Sequence, residues 1–282
     1  MIARVMMLIL AFLPLASSAE AGVWENLKSM ILNTGHKPPP TIDVLVVNDQ
    51  PSAMLEVKGK YRIFDPNTKQ HISKRYLGKR KQIQTLSSGL KWGEEFPGIF
   101  QFQIIPEDGS VHTIVDGVEY KGSIFIYDIG GSISIVNRVP IEEYLSSILP
   151  QQYEFSLPDE TLAALAITAR TNAYYLCQSP KNRFWAVDAN HVGYHGLEST
   201  KPSSDVEHAI RATRHMVLSK TGTYEGVVTP FAAQWGSSMS GFSQEGYSQI
   251  PLYEAEEMGR EGKHAAQIIS RAFPESHIEL IY

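Results

Sequence analysis

Apolar and polar residues alternate in short runs through the first half of the chain; from Pro140 onward apolar positions recur at helical spacing instead. Residues 42–47, 53–57 and 61–64 read as strands. Turn chemistry separates them at Asn48-Asp49-Gln50-Pro51, Lys58-Gly59-Lys60 and Asp65-Pro66-Asn67. Further strands are expected over 100–105, 112–115, 122–129 and 131–137, with hairpin turns at Asp108-Gly109, Asp116-Gly117 and Gly130-Gly131. Residues 141–148 read as a helix. Ser156-Leu157-Pro158-Asp159 marks the start of a longer one, with Ser156 as N-cap, Pro158 in the first turn and Asp159 at the capping-box position. Leu162, Leu165, Ala166, Ala169, Ala173 and Leu176 then fall at helical spacing, and the alanines imply a closely packed helix. Residues 205–213 read as another helix, and 255–272 as a last one broken at Gly259 and Gly262. The fold class expected is α+β: a β-rich N-terminal half, then a mixed helical half closed by a short sheet or helix.

The N-terminus has a different texture. Arg4 precedes an apolar run over 5–15, and small residues follow at Ser17, Ala19 and Ala21. The run is shorter than the roughly 20 residues a membrane-spanning helix needs, so residues 1–21 read as a secretory signal. The expected location is outside the cytoplasmic membrane, in a periplasm or cell envelope. Residues 22–40 read as a linker ending in Pro38, Pro39 and Pro40, residues 41–119 as a β-rich region, and residues 120–282 as a second domain.

Composition narrows the functional classes. The net charge of -5 over 282 residues argues against a nucleic-acid binder. The single cysteine, Cys177, excludes a disulfide framework and a cysteine-cluster zinc site; at a helix end it reads as a small buried hydrophobe. Lys74, Arg75, Lys79, Arg80 and Lys81 form a basic cluster that reads as a solvated loop, with contact to an anionic polymer as the functional alternative. No P-loop, dinucleotide fingerprint or G-x-S-x-G elbow is present.

From Tyr120 the residues resemble the SpoIID/LytB family. Tyr120-Lys121-Gly122-Ser123-Ile124 is similar to its Y-R-G-x-I strand, and residues 136–145 (VNRVPIEEYL) to V-N-x-L-P-L-E-x-Y-L. Ile148-Leu149-Pro150 matches the start of V-V-P-x-E-M-P, and residues 157–171 resemble W-P-x-E-A-L-K-A-Q-A-x-A-A-R-T. Residues 209–218 resemble A-x-x-A-T-R-G-x-V-L. Trp235-Gly236 with residues 241–247 is similar to W-G-H-G-x-G-M-S-Q-x-G-A-Y, and residues 258–263 and 268–274 resemble the family's closing segments.

The resemblance implies action on peptidoglycan glycan strands by lytic transglycosylation. Cleavage falls between N-acetylmuramic acid and N-acetylglucosamine and leaves a 1,6-anhydro end. It also implies, as the alternative, a catalytically weak glycan-binding partner that enhances an amidase or serves a division complex. The lytic reaction needs one carboxyl group that donates a proton and later takes one back, so its pKa must be raised. The family places a Glu where this chain has Gln152, and an amide transfers no proton as an acid. Glu154, two residues on, is the candidate acid/base; the other readings are lost catalysis with retained binding, and a plain surface carboxylate.

Gln152, Arg170, Tyr194, Trp235 and Ser240 are the expected groove residues, with Glu143 or Glu154 as the partner of Arg170. Some relatives hold zinc near the site. Here the corresponding cysteines are absent and Asp188, His191 and His195 remain; a sugar-lining loop is the preferred reading, so neither metal nor cofactor is expected.

Overall fold

The computed structural model describes residues 40–152, 156–180, 182–197, 204–221, 228–236 and 245–281. Twelve strands come first: β1 Thr41–Gln50, β2 Ser52–Lys58, β3 Tyr61–Phe64, β4 His71–Arg75, β5 Gly78–Leu86, β6 Gly89–Trp92, β7 Glu94–Pro97, β8 Gln101–Pro106, β9 His112–Val115, β10 Val118–Tyr120, β11 Ser123–Ile129 and β12 Ser132–Pro140. Helices α1 Ile141–Gln152 and α2 Asp159–Gln178 follow. Then come β13 Val187–Asp188, α3 Ala189–Val192, α4 Ser204–Ala212, β14 Met216–Lys220, α5 Leu252–Arg260, α6 Ala265–Ala272 and β15 Ser276–Leu280.

The strands form a seven-stranded sheet in the order β13-β1-β12-β11-β8-β3-β4, a six-stranded sheet in the order β10-β9-β2-β5-β6-β7, and the pair β14-β15. Alternation decides which side of each strand is buried. In β2, Ala53, Leu55 and Val57 point inward, and in β8 Phe102 and Ile104 do. An aromatic group joins the two large sheets: Trp92 lies 5.9 Å from Tyr61 and 6.4 Å from Phe102, and Phe96 lies 5.4 Å from Phe102.

The boundary expected at 119/120 does not separate two bodies. Strands β11 and β12 lie inside the seven-stranded sheet, between β1 and β8, so residues 41–119 and 120–140 complete one another's hydrogen bonding. The basic cluster differs from its sequence reading too. Lys74 and Arg75 end β4, and Lys79, Arg80 and Lys81 lie in β5, so it belongs to two strands rather than a loop.

Helix α2 explains its alanines. Leu162, Leu165, Ala166 and Ala173 pack on the core shared with the sheets and α1, while Ala164 and Ile167 pack on a second core with Leu218, Ile268, Ile269 and Phe273. A helix buried on two faces needs small side chains where neighbours approach closely. Its start differs from expectation: Pro158, not Ser156, is the N-cap residue, and no side chain caps it. Glu160 instead reaches across to another helix, its Oε2 accepting from the Ala265 backbone N–H at 2.7 Å, which holds the Glu160 carboxyl below its ordinary pKa.

Candidate functional site

Three segments that resemble the family, together with the short helix α3, meet at one cleft. Tyr144, Ile148 and Gln152 sit at four-residue spacing on α1 and present one stripe to it. Leu165, Thr168, Ala169 and Asn172 form the facing stripe of α2. His191 and Val192 of α3 and the extended stretch Ala233-Gln234-Trp235 close the sides, and the volume is about 260 Å³. The last stretch is held by a parallel bridge between Gln234 and Tyr247. Ser248 steadies the neighbouring turn: its hydroxyl accepts from the Gly236 N–H at 3.0 Å and donates to the Ile250 carbonyl at 2.7 Å.

The walls are amide, hydroxyl, imidazole and indole over an aliphatic floor, which suits an uncharged sugar better than an ion. Trp235 is half-buried, with its ring set edge-on to Phe273 at 5.6 Å. Its Nε1 and the Oδ1 of Asn172 are sealed from solvent and have no hydrogen-bond partner among the described residues. None of the described residues lining the cleft is a carboxylate.

The expected site residues divide accordingly. Gln152 and Trp235 line the cleft. Glu154 and Ser240 lie outside the described residues. Arg170 does not reach a substrate: it is fully buried. Its guanidinium grips Glu142, not Glu143, through Nε to Oε1 at 2.7 Å and Nη2 to Oε2 at 2.8 Å. It also donates to the carbonyls of Ile210 (3.1 Å), Thr213 (2.9 Å) and Met216 (3.2 Å). Two of those carbonyls lie at the C-terminal end of α4, so Arg170 caps that helix while tying α1 to α2. Glu143 pairs with Lys121 at 3.0 Å.

Tyr194 is likewise buried rather than groove-lining. Its hydroxyl donates to Asn137 Oδ1 at 2.6 Å, and Asn137 Nδ2 in turn donates to the carbonyls of Lys121 (2.7 Å) and Ser123 (3.2 Å). Burial drives the phenol well above its ordinary pKa, as it does for Tyr144. Asp188 caps α3, its Oδ1 accepting from the Asn190 N–H at 2.9 Å, and His191 and His195 are exposed. Among the described residues no three His, Cys, Asp or Glu side chains converge as metal ligands would.

Sequence reasoning passed over Asn172, Thr168 and Gln234. The signal for the first two was available: they are the polar positions on an otherwise alanine- and leucine-lined helix stripe. Gln234 carried no pattern. A larger hollow of about 340 Å³ lies on the other face of α1, lined by Lys121, Glu142, Glu143, Ser146, Glu207 and Arg211 among others. Its charges are partly tied up internally, Lys121 with Glu143 and Glu142 with Arg170, and Gln152 does not border it.

The family model described as Stage II sporulation protein, SpoIID, matches residues 130–219. That stretch holds α1, α2, α3 and Gln152. An uncharacterized protein of Chlamydia pneumoniae is 32% identical over 218 residues, covering 76% of this chain and 78% of the relative. Another, from Chlamydia muridarum, is 32% identical over 238 residues, covering 84% and 80%. A third, from Brachyspira hyodysenteriae, is 28% identical over 185 residues, covering 64% and 48%.

Proposed function

Because the chain belongs to the SpoIID family, with a role connected to the cell wall, we propose that it is a peptidoglycan lytic transglycosylase working outside the cytoplasmic membrane. The observation that carries the reading is the cleft at the C-terminal end of α1. It is walled by neutral hydrogen-bonding side chains and one indole, a lining that suits a glycan strand. The acid/base in this reading is Glu154, two residues beyond Gln152. Its carboxyl gives a proton to the glycosidic oxygen as the bond from the muramoyl anomeric carbon breaks. The resulting carboxylate then takes the proton of the 6-hydroxyl as that oxygen bonds to the same carbon. No water is consumed, and one carboxyl suffices where a hydrolase uses two. Export follows from the signal-like residues 1–21, and no helix among the described residues is long and apolar enough to cross a membrane.

One observation favours a second reading. The described cleft contains no carboxylate, and the family's acid position is an amide. A glycan-binding protein that recruits or enhances an amidase needs only such a neutral groove.

Purified full-length protein incubated with denuded glycan strands separates the two. The lytic reading expects 1,6-anhydromuramoyl products that fall about 10²- to 10⁴-fold in Glu154→Gln, the range for loss of a general acid/base. Glycan binding without products, unchanged in Glu154→Gln, supports the binding reading and overturns the lytic one. In that case Gln152→Glu, which returns a carboxyl to the cleft, is expected to create measurable cleavage.

A further inference from the structure

Residues outside the family match carry a chemistry that the cleft does not use. The chain leaves β4, an outer strand of the seven-stranded sheet, and enters β5, an inner strand of the six-stranded sheet, through Tyr76-Leu77. Both side chains are in water, Tyr76 at 68% and Leu77 at 61% exposure. The other exposed large hydrophobics among the described residues (Phe100, Ile129, Tyr253 and Leu280) have no such neighbour in sequence. Cations surround the corner. Lys60 Nζ lies 5.6 Å from the Tyr76 ring centroid. Lys74 and Arg75 precede it, paired with Glu107 and Glu94 respectively. Lys79, Arg80 and Lys81 follow it, exposed and without a carboxylate partner among the described residues. Strand β6 pairs with β5 only from Ile83 onward, which leaves residues 78–82 beyond the end of that ladder.

Lysines along strand edges are an ordinary guard against edge-to-edge aggregation. That guard does not account for Tyr76 and Leu77, which add apolar surface at the place being guarded. A soluble polyanion would engage the cations and leave both side chains wet. A bilayer with anionic headgroups engages both sets at once, phosphates with the cations and the acyl boundary with the apolar pair. We propose that the β4–β5 corner docks the protein on an anionic phospholipid surface. Tyr76 and Leu77 enter the interface while Lys79, Arg80 and Lys81 lie against the phosphates. The proposal does not depend on what the cleft binds or cleaves.

The test is co-sedimentation of the full chain with equimolar phosphatidylglycerol–phosphatidylcholine vesicles and with pure phosphatidylcholine vesicles, at low and high salt. Comparing variants that share the same N-terminus isolates the corner from the apolar residues 5–15. Each cation near an anionic surface contributes about fivefold in affinity, so K79Q/R80Q/K81Q is expected to lose about a hundredfold of the preference for anionic vesicles. Y76S/L77S is expected to weaken binding about tenfold while keeping the salt dependence. Circular dichroism confirms that these exposed substitutions leave the fold intact. Unchanged anionic preference in the triple variant overturns the proposal. So does wild-type binding by Y76S/L77S, which would make the corner a plain polyanion site.

Discussion

The buried guanidinium of Arg170 is the contact on which the site's geometry rests, and breaking it from the Glu142 side is the cleanest perturbation. Glu142→Gln keeps size and one oxygen but removes the charge opposite a fully buried cation. Breaking a buried pair in this way costs about 3–5 kcal/mol. Glu142 is 29% exposed, so water screens part of the interaction, and the remaining amide oxygen still accepts one hydrogen bond. The expected loss is therefore nearer 2–3 kcal/mol, or roughly 5–10 °C in Tm for a folded unit of this size.

Arg170→Met should cost more, about 3–5 kcal/mol, because the carbonyls of Ile210, Thr213 and Met216 lose their donor as well. The double variant Glu142→Gln/Arg170→Met tests the argument. With both charges gone it should be about as stable as Arg170→Met alone, giving a coupling of about 2–3 kcal/mol in a double-mutant cycle. Urea unfolding followed by far-UV circular dichroism measures all three. Additive losses, or a loss below about 1 kcal/mol for Glu142→Gln, would show that the pair behaves as an exposed salt bridge and that the account of Arg170 is wrong.

Burial raises the phenols of Tyr127 (to about 12), Tyr144 and Tyr194, so the folded state holds these protons after the unfolded chain has released them near pH 10. Stability from this source is complete below pH 10 and drains as pH rises through the folded values, at up to about 4 kcal/mol per pH unit for three such groups. Denaturant melts from pH 9 to 11.5 with absorbance at 295 nm check this, and phenolate signal from all tyrosines near pH 10 in folded protein would contradict it. Burial also lifts the Cys177 thiol to about 11, and its Sγ lies 3.4 Å from the Thr41 carbonyl. Native protein at pH 8 should therefore react with a thiol-disulfide reagent at least tenfold more slowly than urea-unfolded protein, since both thiolate fraction and access are reduced; equal rates would sink the assignment. Tyr194→Phe strands the buried Asn137 Oδ1 and should destabilise by about 1–3 kcal/mol without changing glycan affinity. A selective loss of glycan binding in a stable Tyr194→Phe protein would return Tyr194 to the groove.

How far the sequence could be read follows from which interactions are local. Strands β3 and β9 were legible to the residue, and β2, β8, β11 and β12 nearly so, because alternation and hairpin turns are set by neighbours a few positions apart. Strands β4 to β7 were not. In β5 the stretch Lys79-Arg80-Lys81-Gln82 has no alternation to detect, since all four side chains face solvent around a bulge opposite Leu55 and Val57. Their strand conformation comes from pairing with β2, some 25 residues earlier in the chain. The site divides the same way. The stripe Tyr144, Ile148, Gln152 and the alanine face of α2 are helical periodicity, and they were visible. The choice of Glu142 over Glu143 for Arg170 was not, because adjacent positions on a helix point about 100° apart and the packing of α1 against α2 sets which one meets the guanidinium. Tyr194 shows the opposite error. A tyrosine beside glycines and polar residues looks like a sugar platform, yet Asn137 on β12 supplies a buried acceptor 57 positions away and draws it inward. Residues that ligands touch and residues that hold the ligand-touching loops in place share the same composition. What separates them is a partner distant in sequence, and for Gln152 no such partner among the described residues competes with the cleft.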